Sequence, residues 1–193
     1  STGWQNLARI NFEEDDFPNA IKHCKLALQN NPKNFGIRLM LCSALALSGM
    51  EDEALDLMFT IYKEDTSYLA KFKNDEAFNF SMLAKFYKKV INEIPTSKMK
   101  REESKFLLDE LLRIGEYEAV LPVLMSILKK SPKSFLKIMQ THPDFPDSVK
   151  QSIKLIIEKD FNKEAESYSA EDYYSLCMLA LRLGIEDDFL IFN

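Results

Sequence analysis

Glycine is scarce in this sequence, with five residues in 193, and β-branched residues are few beside Leu, Lys, Glu, Ala and Met. A chain short of both is poorly supplied for strands and tight β-turns, and its commonest residues favour helix. Long apolar runs are missing too. Leu176–Leu183 is interrupted by Arg182 and is too short to span a bilayer, so no membrane partner is expected. The opening residues do not read as a secretory leader. An excess of positive charge is also lacking: the formal net charge of -5 and a pI near 5.2 leave no basic footprint for nucleic acid. Cys24, Cys42 and Cys177 are odd in number and far apart. That argues against a disulfide framework and for free thiols in a reducing, cytoplasmic compartment. Each lies within an apolar helical pattern, so a small buried hydrophobe is the expected role.

Catalytic signatures are equally thin. His23 and Cys24 are neighbours, but adjacent helical residues point about 100° apart and do not make a nucleophile–base pair. His142 stands before Pro143 with no second His or Cys nearby, so no metal site is expected. The acidic group Glu13–Asp16 lacks the glycine and ligand alternation of a calcium loop. Glu186, Asp187 and Asp188 form a second acidic group. No phosphate loop, dinucleotide fingerprint or nucleophile elbow occurs. The expectation is a protein that is not an enzyme and carries no cofactor. Lys85, Lys88, Lys89, Lys98, Lys100, Arg101 and Lys105, relieved by Glu93, Glu102 and Glu103, make a basic stretch. It reads either as solvated helix faces or as a contact for an acidic partner.

What the chain does contain is a repeat. Trp4-x2-Leu7-Ala8 is followed by Ala20-x3-Cys24-x2-Ala27-x4-Pro32. Small residues such as Ala8, Ala20 and Ala27 let two antiparallel helices approach closely, and Trp4 and Leu7 share one face at i, i+3. Asp16 can cap a second helix with Pro18 in its first turn, and Asn30, Asn31 and Pro32 stop it. A shift of about 34 residues lands on Leu41-Cys42-x2-Leu45-x3-Gly49 and then Ala54-x3-Met58-x2-Ile61. Gly49 and the acids after it read as an inter-helix turn.

These motifs resemble the tetratricopeptide repeat. Asn11 departs from it where an aromatic or large apolar residue is usual, Arg38 replaces the tryptophan of the second repeat, and Thr66 replaces its proline. Leu107 and Gly115, with Ala119 and Pro132, and then Leu176-Cys177 and Gly184, repeat the pattern at nearly double the period. Between them, Phe78–Ile94 carries a helical apolar face ending before Pro95, which includes Phe80, Phe86 and Tyr87 as core residues. Val149–Phe161 carries another, through Ile153, Ile156 and Ile157. The expected fold is all-α, antiparallel helix pairs stacked as a tetratricopeptide-like α-solenoid of about ten helices. Residues 1–68 hold two recognisable repeats and residues 69–193 degenerate ones continuing the same solenoid. The apolar Leu190, Ile191 and Phe192 make a poor cap, suggesting either a fragment of a longer protein or self-association through that end.

The resemblance implies a non-catalytic module, an adaptor or scaffold, that holds a peptide or helix of a partner protein in a concave groove. The first helix of each pair lines such grooves. By spacing, this places Gln5, Arg9, Phe12 and Glu13 from the first repeat and Leu39, Ser43 and Leu47 from the second at the partner-binding face. Leu39 and Leu47 could equally be packing between adjacent repeats. A subclass clamps the terminal carboxylate of chaperones with lysine and asparagine; here Gln5, Arg9 and Met40 stand at those places, so the clamp is absent. Two further readings are a structural or oligomerisation segment of a large assembly and a bacterial secretion-type chaperone. If Trp4 packs between the first two helices, its loss would cost about 3–5 kcal/mol.

Overall fold

The computed structural model describes residues 2–142, 145–164 and 169–184. Among these residues the chain is all helix, with eleven α-helices, against the ten or so expected. It divides into two compact units, Ser1–Glu93 and Ile94–Asn193.

The first unit begins with α1 (Thr2–Glu13) and α2 (Phe17–Asn30), then α3 (Phe35–Leu47) and α4 (Glu51–Glu64). Each packs on the next, and α1 also lies beside α3. Connections of a few residues between packed helices make the neighbours antiparallel. The contact surfaces follow from side-chain size. Ala8, Ala20, Cys24 and Ala27 are fully buried, as are Cys42, Ala54, Met58 and Ile61 one repeat later. A short α5 (Tyr68–Lys73) and then α6 (Phe80–Glu93) complete the unit. Tyr62, Phe72, Phe78 and Phe86 meet edge to face there, with ring centroids 5.3–6.2 Å apart, an arrangement that suits aromatic quadrupoles. Phe80, expected in the core with them, is largely exposed.

The second unit contains a 3₁₀ turn (Thr96–Lys98), α7 (Arg101–Ile114), α8 (Tyr117–Lys130), α9 (Pro132–Thr141), α10 (Asp147–Glu164) and α11 (Ala170–Arg182). Its core includes Leu107, Leu108, Leu111, Val120, Leu124, Phe135, Phe145 and Ile153.

The repeat is written in the backbone as well as in the side chains. Helices α1, α3, α5 and α7 begin at Thr2, Phe35, Tyr68 and Arg101, a spacing close to the ~34-residue period of tetratricopeptide repeats. Helices α2, α4 and α8 end alike, at Asn31, Asp65 and Ser131, each extended in φ and each donating its N–H to the carbonyl four residues back. Left-handed residues stand after α1, α3, α7 and α11, though not after α5. Gly49, Gly115 and Gly184 have φ of 76°, 86° and 64°, and the first repeat puts Asp15 there at φ 57°. Aspartate tolerates this region better than most residues, though at a cost glycine avoids.

One expectation fails. Trp4 and Leu7 do not fill the space between helices; both stand on the open side of α1, about two-fifths exposed. Trp4 instead stacks on His23 with centroids 5.5 Å apart and planes 23° apart. Among the described residues α1 packs on α2 and α3, and those contacts leave this face uncovered. Half-burial scales down the penalty: Trp4→Ala is expected to cost about 1–2 kcal/mol. Asp15→Gly should raise stability by about 0.5–1 kcal/mol through relief of the left-handed backbone. Urea unfolding measures both, as a lowered and a raised midpoint.

Candidate functional site

The face expected to meet a partner is carried by α1 and α3, which lie side by side. On α1, Arg9 and Glu13 are exposed and form an i, i+4 ion pair at 3.8 Å. Gln5 and Phe12 are half-buried. Phe12 sets its ring edge-on to Phe17, centroids 5.7 Å apart, which ties the end of α1 to the start of α2. On α3, Leu39 is half-buried and Leu47 exposed. Ser43 departs from expectation: it is 3% exposed, so it is not offered to a ligand. Its Oγ sits 2.8 Å from Asp75 Oδ2 and 3.1 Å from the Leu39 carbonyl oxygen. Asp75 also accepts the Ala77 N–H through Oδ1. The carboxylate thus holds the loop after α5 against α3, and that loop covers Ser43. No spacing rule pointed to Asp75; only the fold brings it to α3.

Arg38 holds α3 itself in place. It occupies the tryptophan position of the second repeat, is buried, and forms a two-pronged ion pair with Glu64 at the end of α4, Nη1 to Oε2 at 2.7 Å and Nη2 to Oε1 at 3.0 Å. Its guanidinium lies over the Phe35 ring, 5.4 Å from the centroid, and Phe35 stacks on Tyr68 at 5.2 Å. The planar fork of arginine suits both contacts. Asn11, the departure in the first repeat, is similarly partnered. His23 Nδ1 lies 2.7 Å from Asn11 Oδ1. His23 is half-buried between Asn11 and Trp4.

Other candidate groups have structural roles. Lys85 reaches Glu51 at 2.9 Å, and Lys89 reaches Asp56 at 3.4 Å and Glu93 at 3.0 Å. The α6 part of the basic stretch therefore pairs with acids of α4 and α6. In α7, buried Glu103 accepts the Lys100 N–H at 3.2 Å, closing the start of the helix. Burial raises its pKa, an effect the Lys100 bond opposes. Glu110 is gripped by Arg113 at 2.8 and 3.2 Å. Cys24, Cys42 and Cys177 are free thiols. Burial pushes Cys24 up to about 11 and Cys42 further, so neither is a ready nucleophile. No group of His, Cys, Asp or Glu among the described residues is placed to hold a metal ion. No helix among them is long and apolar enough to cross a membrane. Leu190, Ile191 and Phe192, suggested for self-association, lie outside the described residues.

The Arg38–Glu64 pair yields a directional prediction. The Arg38 hydrogen bond holds the Glu64 carboxyl below its ordinary value of 4.5. A lowered acid pKa in the folded state stabilises above the unfolded value, and that contribution is lost as pH falls through the folded value. Glu64→Gln should therefore be less stable than the parent at pH 7, and the gap should close below pH 4.5. Glu64→Ala should destabilise more than Arg38→Met, because it leaves a buried cation unpaired while the other leaves only a half-exposed carboxylate. Thermal unfolding across that pH range checks both orderings.

No curated protein matches the sequence at a significant level. The family model described as Tetratricopeptide repeat matches residues 11–74, a span running from the last turn of α1 through α5. Repeats of this family generally mediate protein–protein interaction and are typically non-catalytic. Residues 11–74 thus match the tetratricopeptide repeat, and the described residues are all-helical, with successive helices packed against each other as in a tetratricopeptide-like solenoid.

Proposed function

We propose that the adjoining faces of α1 and α3 hold a peptide or helix of a partner protein. The observation that carries this reading is the mixture on those two helices: an exposed Arg9–Glu13 pair beside exposed Leu47 and half-exposed Phe12 and Leu39. Apolar side chains supply contact area and the charged pair at the edge selects orientation, as in helix-in-groove recognition. Gln5 belongs to the same face, whereas Ser43 contributes only by fixing the loop behind it. The missing lysine–asparagine clamp argues against a free terminal carboxylate as the main determinant.

The chain would act as an adaptor or scaffold in the cytoplasm. Support for a reducing compartment comes from three free cysteines, two of them buried as small hydrophobes. Residues 69–193 are read as diverged repeats. The support is the recurrence of helix starts at Tyr68 and Arg101 and the shared geometry at Gly115 and Ser131. The shortened α5 and α9 account for the weak consensus there.

Affinity capture with the parent chain and with an Arg9→Glu/Leu47→Glu variant tests the proposal. Both positions are exposed, so the melting temperature should hold. Proteins retained by the parent should be lost from the variant by about tenfold or more. Retention unchanged would remove this face from consideration.

A further inference from the structure

The helix turns of the first unit gather along one edge. Helices α1 and α3 run parallel, each antiparallel to the α2 between them. The α5 segment follows α3 in the same direction: Phe35 stacks on Tyr68 near the two starts, and farther along Ser43 donates to Asp75 at 2.8 Å. Beyond the turn, Glu51 of α4 pairs with Lys85 of α6 at 2.9 Å. Residues 75–85 are therefore pinned beside residues 43–51 at both ends. Between the two pins stand Leu47, Met50 and Phe80, 46%, 38% and 63% exposed. Phe78 of the same loop is buried. Asn79 Oδ1 accepts the Met82 N–H at 2.9 Å and fixes where α6, and with it Phe80, begins. Further repeats in a solenoid add helices along the stacking direction and contact only their neighbours, so they leave a turn edge open.

The same edge is acidic. Residues 13–16, 51–53 and 75–76 are all Asp or Glu. Glu13, Glu51 and Glu53 pair with Arg9, Lys85 and Lys25, and Asp16 and Asp75 hold a helix start and a loop. Glu14, Asp15, Asp52 and Glu76 stand exposed around the apolar group, with Lys73 at the end of α5. We propose that Leu47, Met50 and Phe80 form a docking surface for a partner-protein segment whose large apolar side chains are flanked by Lys or Arg. The apolar group supplies contact area, and the carboxylates around it attract a basic segment and repel an acidic one. The exposed apolar area is roughly 300 Å², a size at which the largest patch on a monomer is often functional. So small a contact is weak, with Kd on the order of 100 μM at low salt. Edge-to-edge pairing of two copies is disfavoured, because it would bring their carboxylates together. The surface adjoins the α1–α3 face at Leu47 but is centred on Met50 and Phe80, which that face does not use.

The probe is a fluorescein-labelled synthetic peptide with a Leu-Phe-Leu centre flanked on both sides by arginines, titrated with the full chain and read by anisotropy. Binding should saturate, and it should weaken by about tenfold as added salt shortens the Debye length from about 30 Å to about 10 Å. The same peptide with glutamate at every arginine should not bind. Phe80→Ser, at an exposed position, should leave circular dichroism and melting temperature unchanged and weaken binding by about tenfold. Asp52→Asn/Glu76→Gln should weaken it severalfold and flatten its salt dependence, which tests the charged half of the surface without touching the apolar half. No saturation up to millimolar peptide, equal binding of the glutamate peptide, or binding unchanged by Phe80→Ser would overturn the proposal. Light scattering that shows association of the chain alone, abolished by Phe80→Ser, would overturn it in favour of a second copy.

Discussion

Close approach of two antiparallel helices is the constraint on which the rest of this molecule depends. It is achieved by leaving no side chain beyond a methyl or thiol at the crossing: Ala8, Ala20, Cys24 and Ala27 in the first pair. Once the axes are this close, the connection must turn within a few residues. A left-handed residue does this at Gly49, at Gly115 and, under strain, at Asp15. The extended residue at the end of α2, α4 and α8 then sends the chain back to start the next helix. Small crossing residues, left-handed turn and extended return are one solution to one steric problem, which is why they recur together.

Departures from the repeat show the same physics from the other side. Where a large apolar residue is replaced by Asn11 or Arg38, a polar group is brought into a half-dry or dry position and must find a partner. Asn11 finds His23, and Arg38 finds Glu64. Each pair joins the first helix of a repeat to its second, so the substitution exchanges apolar packing for hydrogen bonding without changing which helices touch. Asp75 acts similarly over a longer distance, fastening the loop after the truncated α5 to Ser43 of α3. The ion pairs from Lys85 and Lys89 to Glu51 and Asp56 belong to the exposed rim, where solvent leaves them little net worth.

Stacking also explains why a repeat protein presents several kinds of surface. The side-by-side first helices offer a mixed apolar and charged face, bounded by Arg9 and Glu13. The flank of α1 offers an apolar strip of Trp4, Leu7 and Ile10, each 40–45% exposed. The two are separable by mutation because no residue is shared between them.

Much of the fold was legible in order of residues alone. Scarce glycine, alanines at helix crossings, the Asp16 and Pro18 start signals and glycines at near-double period together specify helix pairs, because capping, turn geometry and close packing are local demands on residue type. The shortened α5 and the outward Phe80 were not legible, since helical periodicity marks an apolar face without saying how many helices are available to cover it. The same limit governs the candidate face. Spacing placed Arg9, Glu13 and Leu47 on the surface, where the structure also has them, but it placed Ser43 there too, and only the arrival of Asp75 from a distant loop buried it. It assigned Trp4 to the interior because motif position describes a residue's place within a pair. Burial depends on the next pair along, and that neighbour is a fact of tertiary structure: a side chain leaves water only when another element is there to cover it.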